Sequence, residues 1–229
     1  MSTELIVALD VPTLDEGSRL LDRLGGSVRW FKVGMQLFTA AGPAVVREIR
    51  SRGASVFLDL KFHDIPNTVA GAAQSAAALG VEMFNVHAGG GEEMMRAAKA
   101  AASLRDAPLD EHLRHGVARP LVIAVTILTS QAASEADVLK LARAAKASGL
   151  DGVVCSAREA VTLKRELGAD FKLVCPGIRP AWSETGDQKR IVTPHDAVKA
   201  GADYIVVGRP ILAAPNPAEA AKRVLDEMA

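Results

Sequence analysis

The chain has 229 residues, 49% of them hydrophobic, which is enough for one sizeable core and predicts a single domain over residues 1–229. Lysine and arginine together number 27, as do aspartate and glutamate, so the zero net charge provides no basic field for nucleic acid or an anionic membrane. The longest apolar run, 121–128, is too short to cross a bilayer, and strand-like residues from Leu5 leave no room for a signal peptide. We therefore expect a soluble, cytoplasmic protein.

Apolar runs alternate regularly with segments of helical spacing. The predicted strands are 5–10, 29–34, a third that starts at Val56 and ends before Pro66, 83–88, 121–128, 152–155, 172–175 and 204–207. The predicted helices are 14–24, 42–52, 70–79, a fourth from residue 92, 136–148, 157–167, 194–200 and 217–228. Most strands are continuous apolar runs, which is typical of parallel strands covered on both faces, so the pattern predicts a single-domain (β/α)8 barrel, the TIM-barrel fold. A doubly wound sheet is the alternative, which eight even repeats without a dinucleotide-binding fingerprint disfavour.

The third strand carries unusual charge for a buried element. Asp59 and Lys61 interrupt its apolar run, and Asp64 follows just beyond its end. Because side chains alternate along a strand, we expect Asp59 and Lys61 on one face, about 7 Å apart, with Asp64 near the same point. A buried salt bridge is the structural alternative, but isolated buried pairs roughly break even in energy. Charge clusters of this kind mark functional sites more often than structural salt bridges.

Further polar residues fall at or near the carboxyl ends of predicted strands, or directly after them. They are Asp10, Lys32, Thr129, Arg179 and Arg209. Sites of (β/α)8 barrels form at the carboxyl ends of the strands. We therefore expect all of these side chains to converge on one mouth of the barrel.

The end of the last strand predicts a phosphate site. Loops after strands seven and eight of such barrels often bind phosphate, Gly208 allows close backbone approach, and Arg209 supplies a bidentate cation. A plain surface arginine is the alternative. The polar segment 179–190 is typical of a mobile lid, from which Gln188 could reach a phosphate, although an ordinary surface loop also fits.

Histidines and cysteines offer no metal site. His112, His115 and His195 lie in polar segments and are expected at the surface, whereas His87 ends the fourth strand, where a place at the mouth and a structural role both remain open. No His/Asp/Glu set has metal-ligand spacing, and no Ser–His–Asp arrangement stands out. The two cysteines, at positions 155 and 175, fall in apolar runs and predict reduced, buried thiols.

The stretch Asp59 to Thr68 resembles the signature of the orotidine 5′-phosphate decarboxylase family, Asp-x-Lys-x-x-Asp-Ile-Pro-Asn-Thr, without a gap. Weaker motifs, before and after this signature, occur in the same order as in the family and extend over nearly the whole chain. They are Ala8-Leu9-Asp10, Phe31-Lys32-Val33-Gly34, Leu128-Thr129-Ser130, Pro176-Gly177-Ile178-Arg179, Gly186-Asp187-Gln188 and Val207-Gly208-Arg209-Pro210-Ile211. The segment 105–119 is the least family-like part and receives no role.

The resemblance implies a function and an assembly. It implies cofactor-free, metal-free decarboxylation of the nucleotide orotidine 5′-monophosphate to UMP and CO2, the last step of de novo UMP biosynthesis. It also implies a homodimer with shared active sites, in which Asp64, accompanied by Thr68, reaches into the neighbouring subunit's site.

The resemblance also implies individual roles. Lys61 would stabilise the developing carbanion and donate the proton to C6 of the pyrimidine, with Asp59 beside the substrate carboxylate. Lys32 and Asp64 would keep the charge array ionised. The remaining contacts would be Asp10 and Lys32 to the ribose, Thr129 to the base, and Arg179, Gln188, Gly208 and Arg209 to the phosphate side.

Two rival functions remain. A barrel similar to 3-keto-L-gulonate 6-phosphate decarboxylase would share Asp-x-Lys-x-x-Asp but would depend on a metal, and the continuation Ile65-Pro66-Asn67-Thr68 favours the nucleotide enzyme. A non-catalytic nucleotide-binding barrel is the other rival. Lys61, which binding alone does not need, argues against it.

Overall fold

The structure, a computed structural model, describes residues 3–103, 119–127, 134–183 and 192–229. Eight parallel strands close into a barrel in the order in which they occur along the chain. They are β1 Glu4–Ala8, β2 Trp30–Gly34, β3 Ser55–Phe62, β4 Met83–His87, β5 Leu121–Val125, β6 Gly152–Val154, β7 Lys172–Cys175 and β8 Tyr204–Val207. The predicted (β/α)8 barrel is confirmed. Within the described residues, no helix combines the length and the apolar character needed to cross a bilayer.

Helices follow the strands around the outside of the barrel. They are α1 Leu14–Leu24, α2 Met35–Ala41, α3 Ala44–Ser51, α4 Pro66–Ala78, α5 Gly91–Ala102, α6 Glu135–Ala147, α7 Ala160–Leu167, α8 Pro194–Lys199, α9 Arg209–Leu212 and α10 Pro217–Met228. The sequence prediction missed two of them, α2 and the single turn α9. It also started α4 four residues late, because Pro66 occupies the first helical turn, where its missing N–H costs nothing.

Two apolar layers hold the barrel together. The smaller layer fills the interior with inward-facing side chains of the strands, such as Ile6, Phe57 and Ile123. The larger layer lies between the strands and the surrounding helices and contains the outward-facing strand residues, among them Val7, Leu58 and Phe84. Because both faces of each strand are covered, the strand sequences are continuous apolar runs.

The same carboxylate–backbone hydrogen bond occurs three times at the amino-terminal face of the barrel. Glu82, Asp151 and Asp203 each lie just before a strand, and each carboxylate accepts the backbone N–H of a residue in the preceding strand, at 2.7, 2.7 and 2.8 Å. Each carboxylate also pairs with a cation: Arg50 pairs with Glu82, and Lys99 lies 2.6 Å from Asp151. These acids join neighbouring strands at the face opposite the mouth.

Asp203 carries the densest of these contacts, since Lys164 and Lys172 lie 2.7 and 3.3 Å from its carboxylate, which is 15% exposed. We predict that Asp203→Ala lowers the free energy of unfolding by about 2 kcal/mol or more, because a charged hydrogen bond is lost and two lysines lose their anion. Urea unfolding followed by circular dichroism measures this change. The control Asp170→Ala, at an exposed position, should stay within about 0.5 kcal/mol of the parent chain. Equal effects of the two substitutions would contradict the role given to Asp203.

Candidate active site

An alternating row of charges crosses the carboxyl-terminal mouth of the barrel. Lys32 Nζ lies 3.0 Å from Asp10 Oδ1 and 3.3 Å from Asp59 Oδ2. On the other side of Asp59, its Oδ1 lies 2.6 Å from Lys61 Nζ. Strands β1, β2 and β3 thus bring together four of the predicted site residues, in the order acid, base, acid, base.

The two middle members of the row are its most buried side chains. The side chain of Asp10 is 59% exposed, whereas those of Lys32 and Asp59 are 12% and 13% exposed. Burial raises the pKa of Asp59, but the charges of Lys32 and Lys61 and the hydrogen bonds from Lys61 and Asn85 outweigh burial, so the pKa lies below its usual range. Asp59 is therefore an anion at neutral pH.

Asp59 and Lys61 lie within a bulge of β3. Against β4, Leu58 pairs with Phe84 but Phe62 pairs with Val86, so four steps on β3 match two on β4. Within this bulge Lys61 adopts φ 53°, and no other non-glycine residue among those described has a positive φ. The simple alternation expected from the sequence is therefore wrong here, although the expected proximity of the two side chains is present.

Asn85 is a site residue that the sequence analysis missed. It lies in the middle of β4 and is 1% exposed. Its Nδ2 donates to Asp59 Oδ1 and its Oδ1 accepts the backbone N–H of Lys61, both at 2.7 Å. One signal was available: Asn85 alternates with Met83 and His87, so it shares their face of the strand.

Two histidines border the charged row. The rings of His63 and His87 lie 5.4 Å apart between centroids. Burial lowers the pKa of His87, and the charges of His63 and Lys61 lower it further, against a smaller opposing effect of Asp59. His87 thus lies at the mouth, and its surroundings favour the neutral imidazole. His195 is exposed, as predicted, whereas His112 and His115 lie outside the described residues.

The predicted phosphate residues lie beside this row. Arg179 and Arg209 line one cleft of about 750 Å³, together with Trp182, over whose ring the Arg223 guanidinium lies at 4.2 Å. Arg209 also lines a neighbouring cleft with Asp10. Arg179 is only 7% exposed.

Gly208 lies next to Asp10, at one end of the row. A Cβ at Gly208 would lie 3.5 Å from Ala8 Cβ and 3.6 Å from Asp10 Oδ2, which is ordinary contact, so packing within the chain does not require the glycine. The start of the predicted lid is anchored, because Arg179 N–H donates to Val192 O at 3.0 Å. Most of that segment lies outside the described residues, and so do Gln188 and Thr129.

Asp64 and Thr68 are not part of the row within one chain. Both are exposed, and the Asp64 carboxylate accepts the N–H of Ile65 at 2.6 Å. Asp64 forms no ion pair with another described residue. Its contribution to a neighbouring subunit's site stays a prediction.

The charged row includes neither a metal-binding cluster nor the two cysteines. No three His, Cys, Asp or Glu side chains within the described ranges come together in a geometry that could hold a metal ion. Cys155 and Cys175 are buried free thiols with their sulfurs 4.0 Å apart, as predicted. The contact with Cys175, together with burial, raises the pKa of the Cys155 thiol.

Comparisons with known proteins give a consistent result. The family model described as "Orotidine 5'-phosphate decarboxylase / HUMPS family" matches residues 3–224. A protein of Moorella thermoacetica named orotidine 5′-phosphate decarboxylase is 48% identical over 237 residues, covering 98% of this chain and 92% of the relative. A protein of the same name from Idiomarina loihiensis is 51% identical, with coverage of 97% and 96%. The crystal structure of orotidine 5′-phosphate decarboxylase from Lactobacillus acidophilus superposes with a TM-score of 0.85 at 38% identity, covering 99% of both chains.

The lowered pKa of His87 predicts a pH dependence of stability. In the unfolded chain His87 binds a proton near its usual pKa of about 6.5. In the native state it binds the proton only at a lower pH. As pH falls, the unfolded state therefore binds more protons than the native state. Stability therefore decreases as pH falls through about 6.5, until the native pKa is reached. At a fixed protein concentration, His87→Gln should lose less unfolding free energy between pH 7.5 and 5.5 than the parent chain. The exposed His195→Gln serves as the control and should lose as much as the parent. Identical losses in all three proteins would contradict the prediction.

Proposed function

The chain belongs to the orotidine 5′-phosphate decarboxylase / HUMPS family, and on that premise we propose that it decarboxylates orotidine 5′-monophosphate to UMP and CO2, the last step of UMP biosynthesis. The family description covers more than one group, so the names of the relatives at about 50% identity favour this substrate. The observation that carries the proposal is the alternating row Asp10, Lys32, Asp59 and Lys61 at the barrel mouth. The whole chain is proposed to be one catalytic domain acting in the cytoplasm.

The reaction explains why the site concentrates charge. Loss of CO2 from C6 of the pyrimidine leaves a carbanion that no neighbouring carbonyl delocalises. A fixed cation close to C6 stabilises this charge as it develops, and in a partly buried site it does so more strongly than in water. We assign this role to Lys61, whose side chain is 26% exposed and whose ammonium is held 2.6 Å from Asp59. Lys61 then donates its proton to C6 and forms UMP.

Asp59 supplies the opposing charge. In the proposed complex its carboxylate lies beside the carboxylate of the substrate, about 4 Å away, where repulsion amounts to about 4 kcal/mol at an effective dielectric constant of 20. The repulsion disappears as neutral CO2 leaves, so it favours the transition state over the bound substrate. The lowered pKa of Asp59 keeps it ionised for this purpose.

Lys32 holds the row together and faces the sugar. Its ammonium contacts both Asp10 and Asp59, so it neutralises the two acids and fixes their separation. Asp10 is the open end of the row, with a side chain exposed enough to accept hydrogen bonds from ribose hydroxyls. We assign the ribose to these two residues and, from the family resemblance alone, the base to Thr129.

The phosphate is assigned to the neighbouring arginines. Arg209 lines both the large cleft and the one that contains Asp10, which connects the phosphate side with the ribose side. Arg179 lines the large cleft as well. Gly208 has no side chain, and we assign to it the close approach of the phosphate to the backbone. Gln188 joins them by resemblance. These contacts lie away from C6 and supply binding energy that positions the base over Lys61.

We further propose that two chains form a homodimer with shared sites. Two large apolar side chains, Met35 and Ile65, are 57% and 65% exposed, and they follow the adjacent strands β2 and β3 at the mouth. Ile65 is the direct neighbour of Asp64, and Thr68 follows on the first turn of α4. Burial of such side chains against a second copy would carry Asp64 and Thr68 towards the partner's charged row.

The assay follows the absorbance of orotidine 5′-monophosphate with purified protein. The parent chain should consume it, and Lys61→Ala should lower kcat by about four orders of magnitude, because proton transfer and charge stabilisation are each worth about 100-fold or more. The control Lys140→Ala, at an exposed position of α6, should retain the parent kcat. No turnover by the parent chain would overturn the function, and near-normal kcat of a folded Lys61→Ala would overturn the role of the lysine.

The shared site can be tested by mixing two inactive variants. In a heterodimer of Lys61→Ala with Asp64→Ala, one site carries both lesions and the other carries intact residues from both chains. Random mixing of equal amounts makes about half the dimers mixed, so roughly a quarter of parent activity should return. If Asp64 serves its own chain, every site keeps one lesion and no activity returns. Mass spectrometry of differently labelled chains verifies that subunits have exchanged.

A further inference from the structure

Asn85 lies directly opposite the bulge of β3. Its neighbours in β4, Phe84 and Val86, pair with Leu58 and Phe62, so Asn85 faces the two extra residues of β3. The bulge interrupts the backbone ladder at this point. The Asn85 Oδ1 accepts the N–H of Lys61 at 2.7 Å, and this side-chain bond replaces a ladder bond.

The backbone of Lys61 needs such a support. With φ 53° it occupies the left-handed region, which a lysine adopts only when its surroundings enforce it. Lysine also lacks the short polar side chain with which asparagine or aspartate stabilises this conformation locally. The buried amide of Asn85 is therefore a direct restraint on the direction in which the Lys61 side chain leaves the strand.

The same amide restrains the partner of Lys61. Asn85 Nδ2 donates to Asp59 Oδ1, the oxygen that also contacts Lys61 Nζ. A single side chain thus fixes the backbone of the lysine and the carboxylate that its ammonium contacts. This task requires one acceptor and one donor in a fixed geometry, which an amide provides and a carboxylate or an aliphatic side chain does not.

We propose that Asn85 is a positioning residue for decarboxylation, which holds Lys61 in its left-handed conformation and aims its ammonium at the reacting carbon. The inference rests on the proposed function, because the reaction defines what Lys61 must reach. Asn85 is 1% exposed and contacts Lys61 and Asp59, so it acts through these two residues. Its removal should therefore affect the chemical step and leave the ribose and phosphate contacts of the ligand intact.

Two variants test the kinetic consequence. Asn85→Leu replaces the amide by an apolar group of similar size, and Asn85→Ser is a milder change that keeps a small polar group in the strand. Both should lower kcat about 100-fold, the effect expected when a reacting group is misplaced by about 1 Å, with the KM for orotidine 5′-monophosphate and the Kd for UMP nearly unchanged. Thr126→Val is the matched control, since Thr126 is also a buried polar strand-end residue, 5% exposed, and its hydroxyl donates to Val154 O rather than to Lys61 or Asp59. It should keep the parent kcat.

A second readout does not depend on activity. In protein labelled with 15N-lysine, the Lys61 amide should exchange with solvent at least about tenfold faster in Asn85→Ser than in the parent chain. A folded Asn85→Ser with parent kcat and unchanged Lys61 exchange would overturn the proposal, as would a loss of activity that appears only in KM. If the parent chain fails to decarboxylate the nucleotide, the proposed function is overturned instead, and the exchange experiment then decides whether Asn85 restrains the Lys61 backbone.

Discussion

The carboxylate of Asp59 lies between two ammonium groups, Lys32 at 3.3 Å and Lys61 at 2.6 Å, in the mouth of a closed barrel. A carboxylate that is only 13% exposed loses most of its hydration, and the two lysines compensate that loss. Each lysine in turn depends on an anion, since Lys32 also contacts Asp10. Removal of one member leaves an uncompensated charge on the next. The geometry of the site is therefore set by the whole row.

The backbone around the row is shaped to permit it. Strand β3 bulges, and Lys61 takes a positive φ that Asn85 supports from β4. Strand β2 ends in Gly34, where a Cβ would lie 3.2 Å from Lys32 Nζ, so a larger residue would displace the ammonium. Strain of this kind persists only where the surrounding structure enforces it. On the opposite, amino-terminal face Glu82, Asp151 and Asp203 join neighbouring strands, away from the charged row.

The sequence predicted the barrel because its signal is repeated: covered parallel strands produce apolar runs, and eight of them alternate with helices. It predicted Asp10, Lys32, Asp59 and Lys61 as a group because strand ends meet in a barrel. It failed where geometry departs from a regular strand, since alternation takes no account of the bulge that turns Lys61. It overlooked Asn85 because a neutral amide inside an apolar strand carries no charge signal. Asp64 illustrates a different limit, because a residue that is predicted to act in a second subunit lies exposed in its own chain.

If Asp59 acts through its negative charge next to the substrate carboxylate, removal of that charge should slow the reaction. Asp59→Asn removes the charge and retains the shape of the side chain. The two quantities to measure are kcat for orotidine 5′-monophosphate and the Kd of UMP, the product that lacks the carboxylate. Loss of a repulsion of about 4 kcal/mol should lower kcat about 1,000-fold, while UMP binds as tightly as before. A folded Asp59→Asn with parent kcat would rule out this role of the Asp59 charge, and so would a loss of kcat matched by an equal loss of UMP affinity.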